Sequence, residues 1–333
     1  MRFFWIGLLV SGCTRPVISS GTDSGSNGDS GPTVTCENEG DTIDVRGAFP
    51  NAPEPGIELR APSFEVPPYS EGFWCYYGTY TGPTVGVTWF EPLQTNAYSH
   101  HNLLRNVTDG GMPDGTMMEC PPTGDMYDYA PLFEGVGVQP SETATNWLEM
   151  PEGVAIQFQE GQKYVLDMHY INPTGCTMVV QNGANIGTID LADVEQWAAP
   201  IRMDGGIVEI PSGEAATLSY DCEFPTDMTV LSVGGHMHEH GTSYEVDWVR
   251  DSGEAERIYE IDPWDEEYRD FPILANFDEG ELDVEAGDAF RTYCNWFNET
   301  ESLLTYPEEM CTTFVVAYPL ERALSCVLGE YTD

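Results

Sequence analysis

Hydrophobic and aromatic residues recur along this chain in short runs that alternate with polar residues. The clearest runs are GIELRAPSFEV (56–66), TVGVTWFEPL (84–93), VAIQFQE (154–160), KYVLDMHYI (163–171), DMTVLSVGGHMHEHG (227–241), YEVDWV (244–249), DAFRTYCNWF (288–297) and CTTFVVAYPL (311–320). Gly, Pro, Asn and Asp separate them. Alternation with a period of two predicts strands. Short strands divided by turn residues predict an all-β fold of antiparallel β-sandwich or jelly-roll type.

Long helical patterns are missing from the sequence, and we expect only short helical turns, near 190–199. A chain of 333 residues is long enough for two domains of ordinary size. The proline-containing stretch AAPIRMDGG, at 198–206, marks the expected boundary. We therefore predict an N-terminal domain at 41–195 and a C-terminal domain at 196–333.

The first 13 residues combine Arg2, a short apolar segment and the sequence VSGC, in the order of a bacterial lipoprotein signal. In this interpretation Cys13 carries the lipid; the alternative is an ordinary signal peptide with a chance cysteine. Residues 14–40 are rich in Gly, Ser and Asp, which is typical of a flexible tether. The apolar segment is too short to span a bilayer. We expect an exported lipoprotein that meets the membrane only through this anchor, in the periplasm, on the outer membrane or at the cell surface.

The charge balance narrows the possible partners. Twelve Lys and Arg residues stand against 56 Asp and Glu residues, for a formal net charge of −44. Such a surface repels nucleic acid and anionic membranes, so both are excluded as partners. The acids are dispersed, which is typical of a soluble exported protein that resists aggregation; attraction of cations and adaptation to high salt are the alternatives. We expect a monomer.

Nine cysteines stand at positions 13, 36, 75, 120, 176, 222, 294, 311 and 326. With Cys13 assigned to the lipid anchor, eight remain, and an even number in an exported protein predicts four disulfides. Spacing alone does not decide the pairing. No C-x-x-C motif is present to suggest a zinc knuckle or a thioredoxin-type site.

All six histidines lie in only three places, a grouping that points to transition-metal ligands. His236, His238 and His240 occupy alternate positions, which on a strand would face one side. The adjacent His100 and His101 would face opposite sides of a regular strand. Both could bind one ion if the backbone bends there or if the two rings use different nitrogens.

Two further residues are ambiguous when taken alone. A single histidine in an apolar strand, such as His169, is more often a core residue than a ligand. Met310 carries a thioether, a soft ligand that suits Cu(I), but a methionine is more often core filler.

Taken in order, these motifs resemble the copper type II ascorbate-dependent monooxygenases, the family of peptidylglycine alpha-hydroxylating monooxygenase and dopamine beta-monooxygenase. The shared order is His-His followed by Leu-Leu, a strand ending in His-Tyr, then His-x-His, then Glu-Met-Cys before an apolar strand. The resemblance extends over most of the chain beyond the tether. It implies two jelly-roll-like β-sandwich domains that face each other across a cleft.

The resemblance also implies two copper ions per chain. The electron-transfer copper would be held by His100, His101 and His169. The copper that binds oxygen and faces the substrate would be held by His236, His238 and Met310. His240 has no role in this pattern. The implied disulfides are Cys36–Cys176, Cys75–Cys120, Cys222–Cys326 and Cys294–Cys311, and the implied reaction hydroxylates a C–H bond with O2 and with electrons from ascorbate or another donor.

The sequence departs from the peptide-amidating members, which hold a substrate carboxylate with an arginine and a tyrosine. Gly234 and Phe314 stand at those positions here, Thr312 replaces a polar amide, and Asp167 replaces a glutamine. We therefore do not expect a peptide ending in glycine as the substrate; with 14 Phe and 17 Tyr, an apolar or aromatic molecule is compatible.

Two other functions fit parts of the pattern. One is a copper-binding lipoprotein without catalysis on the same fold. The other is a single-zinc hydrolase or lyase, in which His236 and His238 combine with His169 or His240 as a three-imidazole site. The zinc alternative leaves the His100–His101 pair and Met310 unexplained.

Overall fold

Strands make up the regular structure of the described residues, apart from two short 3₁₀ turns at Leu191–Asp193 and Glu266–Arg269. The computed structural model describes residues 36, 38–46, 49–94, 99–107, 112–120, 129–133, 149–269, 273–306 and 308–332. The all-β prediction is therefore confirmed, and the sheets pack in a sandwich-like fold. No helix in this described part is long and apolar enough to cross a membrane.

The strands of the N-terminal half are β1 (Thr42–Asp44), β2 (Gly56–Arg60), β3 (Phe64–Val66), β4 (Ser70–Thr79), β5 (Val85–Gln94), β6 (Ser99–Val107), β7 (Met117–Glu119), β8 (Tyr129–Phe133), β9 (Val154–Phe158), β10 (Lys163–Asn172), β11 (Thr177–Val180) and β12 (Asn182–Ile189). Those of the C-terminal half are β13 (Gln196–Asp204), β14 (Glu209–Ile210), β15 (Ala215–Glu223), β16 (Met228–His236), β17 (Gly241–Val249), β18 (Ala255–Ile261), β19 (Leu274–Asn276), β20 (Asp283–Val284), β21 (Ala289–Phe297), β22 (Leu304–Thr305), β23 (Thr312–Tyr318), β24 (Leu324–Val327) and β25 (Glu330–Thr332). Each run that predicted a strand overlaps at least one of them. The helical turn expected near 190–199 covers only Leu191–Asp193, because the chain enters β13 at Gln196.

The N-terminal half packs one sheet against another. A five-stranded sheet in the order β7-β4-β10-β6-β8 faces the strands β9-β5-β12-β2. Strand β10 lies in the middle of its sheet and is buried along most of its length, on both faces. This central position explains why apolar residues stand at neighbouring positions, such as Val165, Leu166 and Met168, rather than only at alternate ones. Leu166 and Met168 of β10 pack with Phe90 and Ile186 from the opposite sheet.

The C-terminal half repeats this plan. A four-stranded sheet in the order β15-β21-β17-β18 packs on the strands β19-β16-β23-β13. Strand β21 alternates between buried and partly buried positions, as expected for a strand with one face on the core. Phe290 and Trp296 of β21 meet Val233 of β16 and Val315 of β23 in this core.

Strand β13 belongs to both halves. Its first residues pair in parallel with β9, with Trp197 opposite Ala155, and its later residues pair antiparallel with β23. Met150, Leu231 and Tyr318 are buried in a small apolar cluster at this junction. Contacts group the chain from Val34 onward into one unit. The division between 41–195 and 196–333 stays a prediction, and it falls where this shared strand begins.

The four disulfides join the cysteines as the family resemblance implies: Cys36–Cys176, Cys75–Cys120, Cys222–Cys326 and Cys294–Cys311. In the C-terminal half, Cys222 of β15 and Cys294 of β21 belong to the four-stranded sheet. Their partners lie on the opposite sheet, at β24 and immediately before β23. Both bonds therefore tie the two layers of the sandwich together. Cys13 lies outside the described residues, as does most of the tether at 14–40.

We expect the long-range disulfide of the C-terminal half to stabilise the fold more than the short-range one. Cys222–Cys326 spans 104 residues and Cys294–Cys311 spans 17. A crosslink that closes a longer loop removes more entropy from the unfolded chain, by about 1.5 kcal/mol for this difference. The two paired Cys→Ala variants are compared by urea unfolding of metal-free protein. All four cysteines are buried, so loss of side-chain packing is matched. An equal loss, or a larger one for Cys294–Cys311, contradicts the prediction.

Candidate functional site

His169 occupies a buried position in β10 between two neighbouring strands. Its cross-strand partners are Phe73 on β4 and His101 on β6. The imidazole stacks on the Phe73 ring, with 4.1 Å between centroids and 11° between planes. Glu71 precedes Phe73 by two residues on the same strand face, and its Oε1 lies 3.0 Å from His169 Nε2. In the neutral ring, Nε2 therefore donates to this carboxylate and Nδ1 carries the lone pair.

The backbone beside His169 is irregular at the predicted histidine pair. His169 pairs with His101, whereas the next residue, Tyr170, pairs with Ser99. His100 is thus the extra residue of a β-bulge in β6. A bulge breaks the alternation of a strand and can redirect a side chain. A bend of this kind is one of the two ways in which His100 and His101 could bind one ion. Their side chains lie outside what the structure describes, so their role as ligands stays a prediction.

Asp167 lies two residues before His169 and is also buried. Its Oδ2 is 3.5 Å from Nε of Arg105, so its charge has a partner. Asp167, Cys75 and Cys120 bring three donor atoms within 4.8 Å of one another, and no other three His, Cys, Asp or Glu side chains do so in the described residues. The two cysteines are joined in a disulfide, so this group does not bind a metal.

The histidine run of the C-terminal half leaves the strand earlier than the alternation predicts. Strand β16 ends at His236, and His238 and His240 lie in the turn that leads to β17. The expectation of a single strand face across all three is therefore wrong. The two rings of His236 and His238 still approach each other, with 5.1 Å between centroids and an interplanar angle of 85°. Both side chains are partly exposed, so two imidazoles meet at an accessible position.

The ring of His238 is oriented by the chain that precedes Met310. Its Nδ1 lies 3.1 Å from the backbone carbonyl oxygen of Glu308. A carbonyl oxygen only accepts, so Nδ1 carries the proton and Nε2 of the neutral ring carries the lone pair. A hydrogen bond from one ring nitrogen to a carbonyl is the usual way in which proteins fix the tautomer of a metal-binding histidine.

The segment that contains Met310 lies beside these histidines because β16 and β23 are paired. His236 is opposite Thr312, two residues beyond Met310. Met310 is partly buried and immediately precedes Cys311, which is fixed by its disulfide to Cys294. The tertiary structure thus brings His236, His238 and the segment with Met310 together, although about seventy residues separate them in sequence.

Glu309 is a buried residue of this site for which the sequence predicts no role. Its side chain is fully buried. Oε2 accepts hydrogen bonds from the His238 backbone N–H at 3.0 Å and from Trp296 Nε1 at 2.9 Å, and Oε1 accepts one from the His240 N–H at 2.7 Å. Among 56 acidic residues, nothing in the sequence marks this one for burial. The one sequence signal is its place in the Glu-Met-Cys motif, which by itself assigns it no role.

His240 takes part in the turn through its backbone. Besides the N–H bond to Glu309, its carbonyl oxygen accepts from the Phe297 N–H at 3.0 Å. The neighbouring Glu239 is paired with Arg269, at 2.5 Å between Oε1 and Nη1. Trp264 adds a further bond from Nε1 to the His238 carbonyl oxygen at 3.0 Å. The turn is therefore held from several sides.

A buried hydroxyl cluster lies beneath the strand that carries the site. The Tyr244 hydroxyl is 2.9 Å from the Thr312 carbonyl oxygen and 2.6 Å from Thr313 Oγ1, which is also 2.6 Å from Thr292 Oγ1. Burial raises the pKa of Tyr244 well above its ordinary value, so the phenol stays neutral. Gly235 makes room for this ring, because a Cβ there would lie 2.4 Å from Tyr244 Cε1.

Residues 209–329 match the family model described as the copper type II ascorbate-dependent monooxygenase, C-terminal domain. The matched range contains His236, His238 and Met310, together with Glu309. No curated protein matches the chain.

Some solved structures are similar to this chain only at a low level. One is PNGase F, a glycosylasparaginase from Flavobacterium meningosepticum, with 8% sequence identity and a TM-score of 0.37. The match covers 84% of this chain and 99% of the PNGase F chain. A structure of the Gt strain of infectious bursal disease virus shares 9% identity over 84% of this chain and 77% of its own, with a TM-score of 0.21. At such TM-scores neither likeness supports an inference about fold or function.

The two hydrogen-bonded histidines should be opposite tautomers in metal-free protein. We expect His169 to carry its proton on Nε2, facing Glu71, and His238 to carry it on Nδ1, facing the Glu308 carbonyl. Nitrogen-15 chemical shifts of the imidazole rings, measured at a pH where both rings are neutral, distinguish the two forms. Glu71→Gln should alter the His169 ring signals and leave those of His238 unchanged. A His238 ring protonated on Nε2 contradicts this geometry.

Proposed function

Because residues 209–329 match the family model described as the copper type II ascorbate-dependent monooxygenase, C-terminal domain, we propose that the chain is a copper-dependent monooxygenase. It would hydroxylate a C–H bond of a small organic substrate with O2. The reaction R–H + O2 + 2e⁻ + 2H⁺ → R–OH + H2O takes its two electrons from ascorbate or another one-electron donor. The alternative on the same fold is a copper-binding lipoprotein that does not catalyse.

The observation that carries the proposal is the pairing of His236 with His238 beside the Met310 segment. Two imidazoles and a thioether form a donor set that suits copper in both oxidation states, with the thioether favouring Cu(I). The hydrogen bond from His238 Nδ1 to the Glu308 carbonyl leaves Nε2 as the ligand atom. The residues present therefore fit the metal that the family name implies. When bound, copper supplies one-electron redox chemistry and the activation of O2.

A second copper would be held by His100, His101 and His169. The β-bulge at His100 and the Glu71 hydrogen bond to His169 support this assignment. A metal bound to His169 while that bond is kept would use Nδ1. The carboxylate would hold the ring orientation and raise its basicity, as carboxylates commonly do behind metal-binding histidines. The proposal thus gives two coppers per chain.

The side chains beside His236 favour a substrate without a carboxylate anchor at this place. Gly234 lies between Leu274 and Phe314 in neighbouring strands. Leu274 occupies the space above it, since a Cβ on Gly234 would lie 2.6 Å from Leu274 Cδ2. The Phe314 ring lies 6.2 Å from the His236 ring. The side chains of Leu274 and Phe314 are therefore apolar at the place where the peptide-amidating enzymes hold the carboxylate of their substrate.

The cellular setting follows in part from the disulfides. Four disulfides indicate an oxidising compartment outside the cytoplasm. Within that setting we propose a monomer that is tethered by a lipid on Cys13 and that meets only small molecules and O2.

Metal content separates the proposed function from the zinc alternative. Purified protein that has been equilibrated with both copper and zinc and then dialysed should retain two coppers per chain. His169→Ala should retain one, because one histidine of the N-terminal site is lost. Elemental analysis gives both values. One zinc and no copper rules out the monooxygenase, and unchanged copper in His169→Ala removes that residue from the site.

Met310→Ile tests catalysis rather than binding. The variant should fold and should lose hydroxylation, because isoleucine fills the space without offering a sulfur ligand. The measurement is product formation, with ascorbate and O2, on a substrate found by screening the unmodified protein. Met117→Ile, a change at another partly buried methionine, is the matched control. Full activity in Met310→Ile rules out Met310 as a ligand that hydroxylation requires. Two bound coppers with no ascorbate-dependent O2 consumption by the unmodified protein favour the non-catalytic alternative.

A further inference from the structure

We infer that Glu309 is a positioning residue whose buried carboxylate sets the placement of His238 relative to Met310. The inference rests on the proposed function, since it concerns two residues that we propose as copper ligands. The observation behind it is independent of any metal. A fully buried carboxylate accepts three N–H bonds, and two of them come from the turn that carries His238 and His240.

The donors around Glu309 explain why a charged group is stable there. Burying a carboxylate without partners is costly, and hydrogen bonds to the ionised form offset that cost. The two amide N–H groups belong to His238 and His240 of one turn, and each donates to a different oxygen of the carboxylate. The indole N–H of Trp296 comes from β21, beneath the turn. The carboxylate therefore connects three segments that are distant in sequence.

This connection links the proposed ligands directly. Glu309 is covalently adjacent to Met310, and its Oε2 is 3.0 Å from the backbone nitrogen of His238. The Glu308 carbonyl, one residue earlier, accepts from the His238 ring. Two successive residues thus hold the backbone and the imidazole of His238, while the next residue supplies the thioether. A shift of Glu309 would move one ligand relative to the other.

A second buried carboxylate, Asp288, has a similar set of hydrogen-bond donors and can serve as a control. It allows an effect on the position of the histidines to be told apart from a general loss of stability. Asp288 is buried and accepts from Trp248 Nε1 at 2.8 Å and from the backbone N–H groups of Asp251 and Glu285 at 3.0 and 3.1 Å. Asp288 immediately precedes β21, whereas Trp296, which donates to Glu309, lies eight residues later near the other end of that strand. Eight residues of extended strand span about 25 Å. Both carboxylates bind one indole and two amides, but only the Glu309 turn contains histidines.

The test compares Glu309→Gln with Asp288→Asn. In metal-free protein with ¹⁵N-labelled histidine, Glu309→Gln should speed hydrogen exchange at the His238 and His240 amides by about tenfold or more. The reason is that a side-chain amide has one acceptor oxygen and turns an NH2 group towards a donor. Asp288→Asn should leave the exchange of both histidine amides unchanged. Denaturant midpoints should fall for both variants, since each loses bonds to a buried carboxylate.

The second measurement is copper affinity in the His169→Ala background, titrated with copper alone. Glu309→Gln should weaken binding by about tenfold or more, the usual effect of losing a group that orients a metal ligand, and should alter the Cu(II) electron paramagnetic resonance spectrum. Asp288→Asn should change neither. If Glu309→Gln does not fold, Glu309→Asp takes its place. That variant keeps the charge but is one methylene shorter, and it should show the same changes to a smaller extent.

The outcomes separate this inference from the proposed function. If the His169→Ala protein binds no copper, the proposed function fails at this site, and with it the role of Glu309 towards a copper ligand. The exchange data then still show whether Glu309 holds the turn. If copper binds but the Glu309 and Asp288 variants are indistinguishable in histidine exchange and in copper affinity, Glu309 is a structural carboxylate only and the inference is overturned.

Discussion

The antiparallel pairing of β16 with β23 is the constraint on which the candidate site depends. Its register places His236 opposite Thr312 and so brings the end of one strand beside the start of the other. The chain turns out of β16 immediately after His236, and it enters β23 immediately after Met310 and Cys311. Two loops that are far apart in sequence therefore meet at one edge of the sandwich. The disulfide at Cys311 and the core beneath β23 keep this register from slipping.

Each half of the molecule orients one histidine through an oxygen acceptor. In the N-terminal half the acceptor is the carboxylate of Glu71, and Phe73 holds the other side of the His169 ring. In the C-terminal half a backbone carbonyl accepts from His238, and the carboxylate of Glu309 holds the backbone instead. The two arrangements leave the lone pair on different ring nitrogens, Nδ1 in His169 and Nε2 in His238. The two copper sites that we propose would therefore use different nitrogens of these histidines.

The extreme acidity of the chain coexists with close local pairing of its few cations. Arg46, Arg250, Arg257, Arg269 and Arg291 each have an acidic partner in the described structure. Such pairs near the surface add little stability individually. With only 12 Lys and Arg residues against 56 Asp and Glu residues, most of the acids have no cation with which to pair.

The sequence by itself determined the strands, the residue types of the sites and the even set of cysteines after Cys13. These features are local, because alternation and turn residues act between near neighbours in the chain. Family resemblance added the disulfide pairing, which the structure bears out. Only the tertiary structure decided that β16 ends at His236, that His100 sits in a bulge and that β13 joins both halves. It also decided that Glu309 is buried, since its three donors lie on a turn and a strand distant in sequence. Burial of a charge depends on such distant donors, and no pattern of neighbouring residues records them.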